Sequence, residues 1–157
     1  RTYRYIISRT ETRPSILSKG VTWVRHEIDV SAMVLGCQYL IGERDFSCFR
    51  GSDCQSVSPF RNVKEATVYE SGNLVVFEIK ANAFLLRMVR NIVGALLEIG
   101  RGKKKPEWID WLLCEGQRGS SAATAPARGL YLVDVDYPIE YALPRDKKGP
   151  FFLSENP

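Results

Sequence analysis

Arg90 is set where a charge needs a reason. It lies in the run FLLRMVRNIVGALLEIG, Phe84 to Gly100, in which apolar residues fill most positions. At about 100° per residue its helical neighbours are Leu86, Val93, Gly94 and Leu97. A guanidinium among apolar groups calls for a carboxylate or phosphate partner, because an unpaired charge there is costly. The other outcome is a side chain that snorkels to water. Arg87 and Asn91 fall on a separate stripe, shared with Glu98. In Tyr3–Ser8, period-two alternation puts Tyr3, Tyr5 and Ile7 on one sheet face and Arg4 on the other. Such rings either stack on an unpaired base or fill a half-buried core, and both fit the pattern.

The remaining reactive groups lack the spacing that chemistry requires. His26 is the one histidine and has no serine or cysteine nucleophile motif beside it. Cys37, Cys48, Cys54 and Cys114 form no C-x-x-C pair, so no metal site is expected. Asp29, Asp45, Asp53, Asp110, Asp134 and Asp136 show no acid–base pairing. There is no phosphate-binding glycine loop and no dinucleotide fingerprint, and no cofactor is expected. Lys103, Lys104 and Lys105 follow a helix stop, where lysines complement the dipole; a solvated loop or an RNA contact both fit.

Several elements must position these residues. Tyr3–Ser8 reads as a strand, and Thr12–Gly20, with Pro14, as a connection. Asp29 is a candidate N-cap for a helix through Met33 and Leu40, ending at Gly42. Gly42–Pro59 reads as a long irregular loop. Asn62–Tyr69 and Leu74–Lys80 form a hairpin about Glu70-Ser71-Gly72-Asn73. Val75, Phe77 and Ile79 share one face of its second arm. Phe84–Gly100 is the strongest helix, stopped at Gly100, and Pro106 opens a shorter one containing Trp108, Ile109, Trp111 and Leu112. Leu130–Val135 is the final strand. Residues 1–138 thus form one α+β domain in the order βαββαβ. That is the ferredoxin-like, RRM-like plan, an antiparallel sheet with helices on one face. Residues 139–157 are expected to be an extended tail that docks through Phe151 and Phe152.

Composition bounds the rest. The 157 residues are 45% hydrophobic and 25% charged, as in a soluble globular domain, and no apolar run is long enough to span a membrane. The net charge of +4 favours a polyanionic partner only mildly. Scattered thiols without a signal peptide fit a reducing cytoplasm. The chain has no initiator methionine and opens directly in a strand pattern, as a fragment of a longer protein is expected to. An RRM-type module would carry an R-G-F-G-F-V-x-F strand; Leu74–Ile79 does not match it, and Glu78 faces the wrong way for an RNA platform.

The segments YRYII, RP-x-x-L-S-K-G, GERDFSCFR, CQS, FEIKANAFLLRMVRNIVG, PEW and TAPARGLYLVDVDYP, in this order and spacing, closely resemble the TruA-type tRNA pseudouridine synthases. The resemblance runs from about Tyr3 to Pro138, and GPFFL near the end shares it. It implies an isomerase that converts uridine to pseudouridine at positions 38 to 40 of the tRNA anticodon stem-loop, without cofactor or metal. It implies a cytoplasmic homodimer.

By the same resemblance, Tyr3 is the tyrosine that stacks on the target base and helps remove its C5 proton. Arg90, in M-V-R-N, is the arginine that pairs with the catalytic aspartate. Asp53, Cys54, Gln55, Ser56 and Val57 form a loop that touches tRNA, with Arg87 and Asn91 as further RNA contacts. Arg9–Lys19 is a weaker candidate for that role, and Leu130–Leu132 lines the pocket floor. Arg87 stands where histidine is common in the family. The family's nucleophile sits in R-T-D-x-G-V-H in an N-terminal half, and that motif is absent from this sequence. The N-terminal half is therefore an expected partner, and the chain alone is expected to be inactive.

Overall fold

The computed structural model describes residues 1–117, 119–144 and 149–153. The first strand, β1, spans Thr2–Ser8; a two-residue strand, β2, Thr22–Trp23; and helix α1 Val30–Gln38. Strand β3, Gly42–Asp45, leads into a 3-10 turn at Ser47–Phe49. The hairpin β4, Phe60–Ser71, and β5, Leu74–Ala81, precedes helices α2, Met88–Gly100, and α3, Trp108–Glu115. Strand β6, Leu130–Asp134, comes last, followed by a 3-10 turn at Ile139–Tyr141.

The four expected strands lie side by side as β6-β1-β5-β4, all antiparallel, which is the ferredoxin-like order. Two short strands extend this sheet. β3 adds antiparallel to the outer edge of β4. β2 runs parallel to β1 at Ile7 and Ser8, beyond the end of β6, so the sheet is mixed. Neither short strand has room to show a two-residue period; β3 falls in the segment that reads as an irregular loop, and β2 follows the Thr12–Gly20 connection.

Alternation along the strands decides which side is core. Tyr5, Ile7, Val75, Phe77 and Ile79 turn to one face and are buried with Met33, Met88, Ile92, Leu96 and Ile109 from the three helices. Ile6 and Val76 turn to the other face, where Val21, Leu17, Tyr131 and Phe152 cover them. Arg4 pairs with Glu78 at 2.6 Å on that second face and donates to the Gly149 carbonyl at 2.9 Å. The sheet surface on which an RRM would stack bases is thus partly occupied by this chain's own segments.

Local signals explain the helix ends. Asp29 caps α1 as its side chain accepts the Ala32 N–H at 2.9 Å, satisfying one of the free donors of the first turn. Gly100 is the last residue of α2 rather than its stop; the chain reverses at Gly102, with φ +74°. α2 begins at Met88, four residues later than the apolar run suggests, because Arg87 sits in the left-handed region at φ +62°. Arg87 and Asn91 consequently do not share a solvent stripe: Arg87 is exposed ahead of the helix and Asn91 is buried within it. Of the expected tail 139–157, residues 145–148 and 154–157 lie outside the described residues. Phe152 packs edge-on against Tyr131 at 6.0 Å, whereas Phe151 is 98% exposed and does not dock.

Phe77 is fully buried at the centre of β5, between both neighbouring strands and beneath the helices. Phe77→Ala should lower stability by about 3–5 kcal/mol, the usual cost of such a cavity. Urea unfolding of the chain measures it, and a loss below about 1 kcal/mol would contradict this packing.

Candidate active-site pocket

The N-terminal end of α2, the start of β1 and the start of β6 meet at a pocket of about 370 Å³. Tyr3 from β1 and Arg90 from α2 both line it, with Phe84, Leu86, Arg87 and Leu130. Strand geometry brings Tyr3 there, since it follows the same alternation as Tyr5 but lies two residues nearer the open end. Its ring meets Phe84 edge-on at 5.0 Å and 85°, a favourable aromatic geometry that leaves the ring half-buried. Tyr5 shares a 2.6 Å hydrogen bond with Thr22 and donates to the Pro126 carbonyl at 2.7 Å. It is wholly buried, and that burial pushes its phenol above the ordinary value. The two tyrosines thus divide: Tyr5 is core and Tyr3 faces the pocket.

Arg90 is half-buried, and its Nε donates to the Ala125 carbonyl at 2.7 Å. Among the described residues, no carboxylate lines the pocket, whose charged residues are Arg1, Arg87 and Arg90. Among the described residues, no partner is found for Nη1 or Nη2 of Arg90. The pocket is therefore electropositive and suited to an anion.

The loop Asp53–Val57 is tied to the same place. The Gly51 N–H donates to the Leu86 carbonyl at 2.8 Å, and a Cβ on Gly51 would sit 2.9 Å from that oxygen. The Leu86 N–H in turn lies 3.4 Å from the Cys54 sulfur. Arg50 clamps the loop from within by donating to the Cys54 and Ser56 carbonyls at 2.7 and 2.6 Å. Arg61 donates to Ser56 Oγ at 2.6 Å. Asp53, Gln55 and Val57 stay exposed beside the pocket, while Cys54 and Ser56 are half-buried.

Asn91 stands differently from the other candidates. It is 6% exposed, donating through Nδ2 to the Phe49 carbonyl at 2.7 Å and accepting Thr124 Oγ1 at 2.6 Å. The Arg9–Lys19 connection lies over the opposite sheet face, where Leu17 covers the Ile6 cluster. Leu130 reaches the pocket; Leu132 points past it and is 52% exposed. His26 lies at the far end of α2, beside Arg101 and Lys103. Among the described residues, no group of three or more His, Cys, Asp and Glu could hold a metal ion.

Sequence reasoning missed Arg50, Arg61, Thr124 and Ala125. The arginines could have been suspected, since they bracket an otherwise structureless loop. Thr124 and Ala125 sit in a run of small residues with no periodicity to read.

A family model described as tRNA pseudouridine synthase matches residues 37–138. The chain is 53% identical over 156 residues to a tRNA pseudouridine synthase A of Vibrio cholerae, covering 99% of this chain and 59% of that protein. It is 52% identical over 156 residues to one of Aliivibrio fischeri, covering 99% of this chain and 60% of the relative. The chain thus spans about three-fifths of the length of these curated relatives.

The loop's hydrogen bonds leave a chemical signature. The Leu86 N–H foremost, then that of Ser56, stabilises a thiolate at Cys54 and holds its pKa below the ordinary value. Burial pushes Cys37 and Cys48 up to about 12. Because the thiolate is the reactive form, iodoacetamide at about pH 8 should alkylate Cys54 well before Cys37 and Cys48. Peptide mass mapping over time checks the order, and earlier labelling of either buried thiol would contradict it.

Proposed function

Since the chain belongs to the tRNA pseudouridine synthase family, we propose that it supplies one wall of the uridine pocket in a longer enzyme, which isomerises uridine to pseudouridine at positions 38 to 40 of the tRNA anticodon stem-loop. The observation that carries this is the meeting of Tyr3 and Arg90 on one electropositive pocket whose lining holds no carboxylate. That is the complement an attacking aspartate would need. The chain's coverage of about three-fifths of its relatives leaves room for the segment that carries it.

The division of labour follows from the chemistry. The target base must leave its stack to be reached, and the half-open Tyr3 ring offers it a new stacking surface. The aspartate attacks as its anion, and a guanidinium beside it favours that form by lowering its pKa. Attack on the sugar carbon breaks its bond to the ring nitrogen; the base turns, and C5 bonds to that carbon as the carboxylate leaves. C5 loses its proton, aided by Tyr3, and the nitrogen regains one. Product and substrate are isomers, so the balance calls for no net oxidant or reductant. Asp53, Gln55 and Val57, exposed beside the pocket, and Arg87 at its rim contact the RNA, and the phosphate contacts weaken as salt rises.

The complementary N-terminal half joins at β6. Among the described residues β6 pairs with β1 alone. Beside it lies a hollow of about 640 Å³, with Leu132, Tyr137, Ile139 and Leu143 exposed. Apolar surface gathered along a free strand edge favours association. The whole enzyme acts in the cytoplasm as a homodimer, and this chain alone does not turn over.

If Arg90 serves the nucleophile rather than the phosphates, its loss should act on rate and not on affinity. In the full-length enzyme, Arg90→Ala should cut turnover by at least about a thousandfold while tRNA binding stays within a few-fold. Single-turnover pseudouridine formation and filter binding test this together. Equal losses in rate and binding would mark a phosphate contact.

A further inference from the structure

The segment 121–126 lies along α2 as a strap, fixed at successive residues. Ser121 Oγ donates to the Cys48 carbonyl at 3.4 Å. The Ala123 carbonyl rests against Gly94, where a Cβ would sit 2.2 Å from it, so only glycine admits the strap. Thr124 Oγ1 donates to Asn91 Oδ1 at 2.6 Å, and the Ala125 N–H donates to the Arg90 carbonyl at 3.1 Å. Pro126 accepts the Tyr5 hydroxyl at 2.7 Å. The strap then acts on the pocket, because the Ala125 carbonyl accepts Arg90 Nε at 2.7 Å.

That bond selects how the guanidinium meets an anion. A carboxylate can pair with the Nε edge or with the Nη1–Nη2 end, through two parallel N–H···O bonds in either case. With Nε already donating to Ala125, the end is the edge left for it. We propose that Asn91 and Thr124 are positioning residues for the isomerisation: their hydrogen bond sets the Ala125 carbonyl, which turns Arg90 for end-on pairing with the nucleophilic carboxylate. This rests on the reading of Arg90 as that carboxylate's partner. Asn91 cannot act on RNA directly at 6% exposure. Its other end holds the Phe49 carbonyl, so the same amide also fixes the chain entering the Asp53–Val57 loop. A buried side chain with both ends engaged is suited to hold two neighbours in register.

Among the described residues, the charged and titratable groups around Arg90 are Arg1 and Tyr3 on the β1 side and Arg87 ahead of α2, which line the pocket with it, and Tyr5, on which its charge acts from the core side. None is acidic, so the acid limb of turnover reports the incoming carboxylate.

Thr124 is exposed, so its substitution opens no core cavity and removes only the donor to Asn91 Oδ1. In the full-length enzyme, Thr124→Val removes the hydroxyl and Thr124→Ser keeps it. Turnover on tRNA is followed from about pH 5 to 9 for both and for Arg90→Ala, with thermal melting as the folding control. Thr124→Val should lower kcat roughly tenfold with KM within about twofold. Its acid limb should move to higher pH, because a loosened guanidinium holds the carboxylate pKa down less. Thr124→Ser should restore both. An acid limb that stays in place in Thr124→Val, with Arg90→Ala inactive, overturns the role of the strap and leaves the pairing intact. An active Arg90→Ala overturns the pairing itself.

Discussion

The 2.7 Å bond from Arg90 Nε to the Ala125 carbonyl joins the core to the pocket, and much of the surrounding structure exists to hold its two ends. One end rides on α2, whose opposite side is buried against Ile28, Met33 and the sheet. The other end belongs to a strap with no regular structure of its own. A strap without a ladder must satisfy its backbone groups individually: Ala125 exchanges bonds with the Arg90 carbonyl and Nε, and the Pro126 carbonyl accepts the Tyr5 hydroxyl. Arg90 Nε is thereby held, while among the described residues its two terminal nitrogens have no partner.

The same economy runs through the sheet. β1 serves three purposes within seven residues. Tyr3 opens to the pocket, Tyr5 and Ile7 anchor the helical core, and Arg4 and Ile6 bind the cover on the far side. The hairpin β4–β5 gives β1 one edge, and β6 and β2 divide the other. Strain at Arg87 belongs to the same plan. By turning the chain at φ +62°, it frees the Leu86 carbonyl and N–H to bind Gly51 and Cys54, so the Asp53–Val57 loop is hung from the pocket wall.

Much of this was legible in the sequence where periodicity was long enough to read. Alternation in Tyr3–Ile7 and Val75–Ile79 gave the core face, and the apolar neighbours of Arg90 marked a charge in need of a partner, which the Ala125 carbonyl supplies for Nε. The order of four strands and two main helices gave the sheet plan. What was not legible had identifiable causes. β2 and β3 are two and four residues long, too short for a period. Tyr3 and Tyr5 obey one pattern, and only the cover supplied by Thr22 and Pro126 tells them apart. Phe84–Arg87 continues the apolar run of α2 yet is not helical, because its backbone serves the neighbouring loop. The Thr124–Asn91 bond spans 33 residues between a helix and a run of small side chains, and no local rule predicts it.

The proposed function requires the pocket wall carrying Tyr3 and Arg90 to become catalytic only when a second half brings a nucleophilic aspartate to it. Its most direct test is pseudouridine formation in an unmodified tRNA anticodon stem-loop, comparing this chain with the same chain extended by the part its relatives carry. Turnover is expected in the longer chain alone. Turnover by these 157 residues unaided would place a nucleophile within them and contradict the roles given to Tyr3 and Arg90.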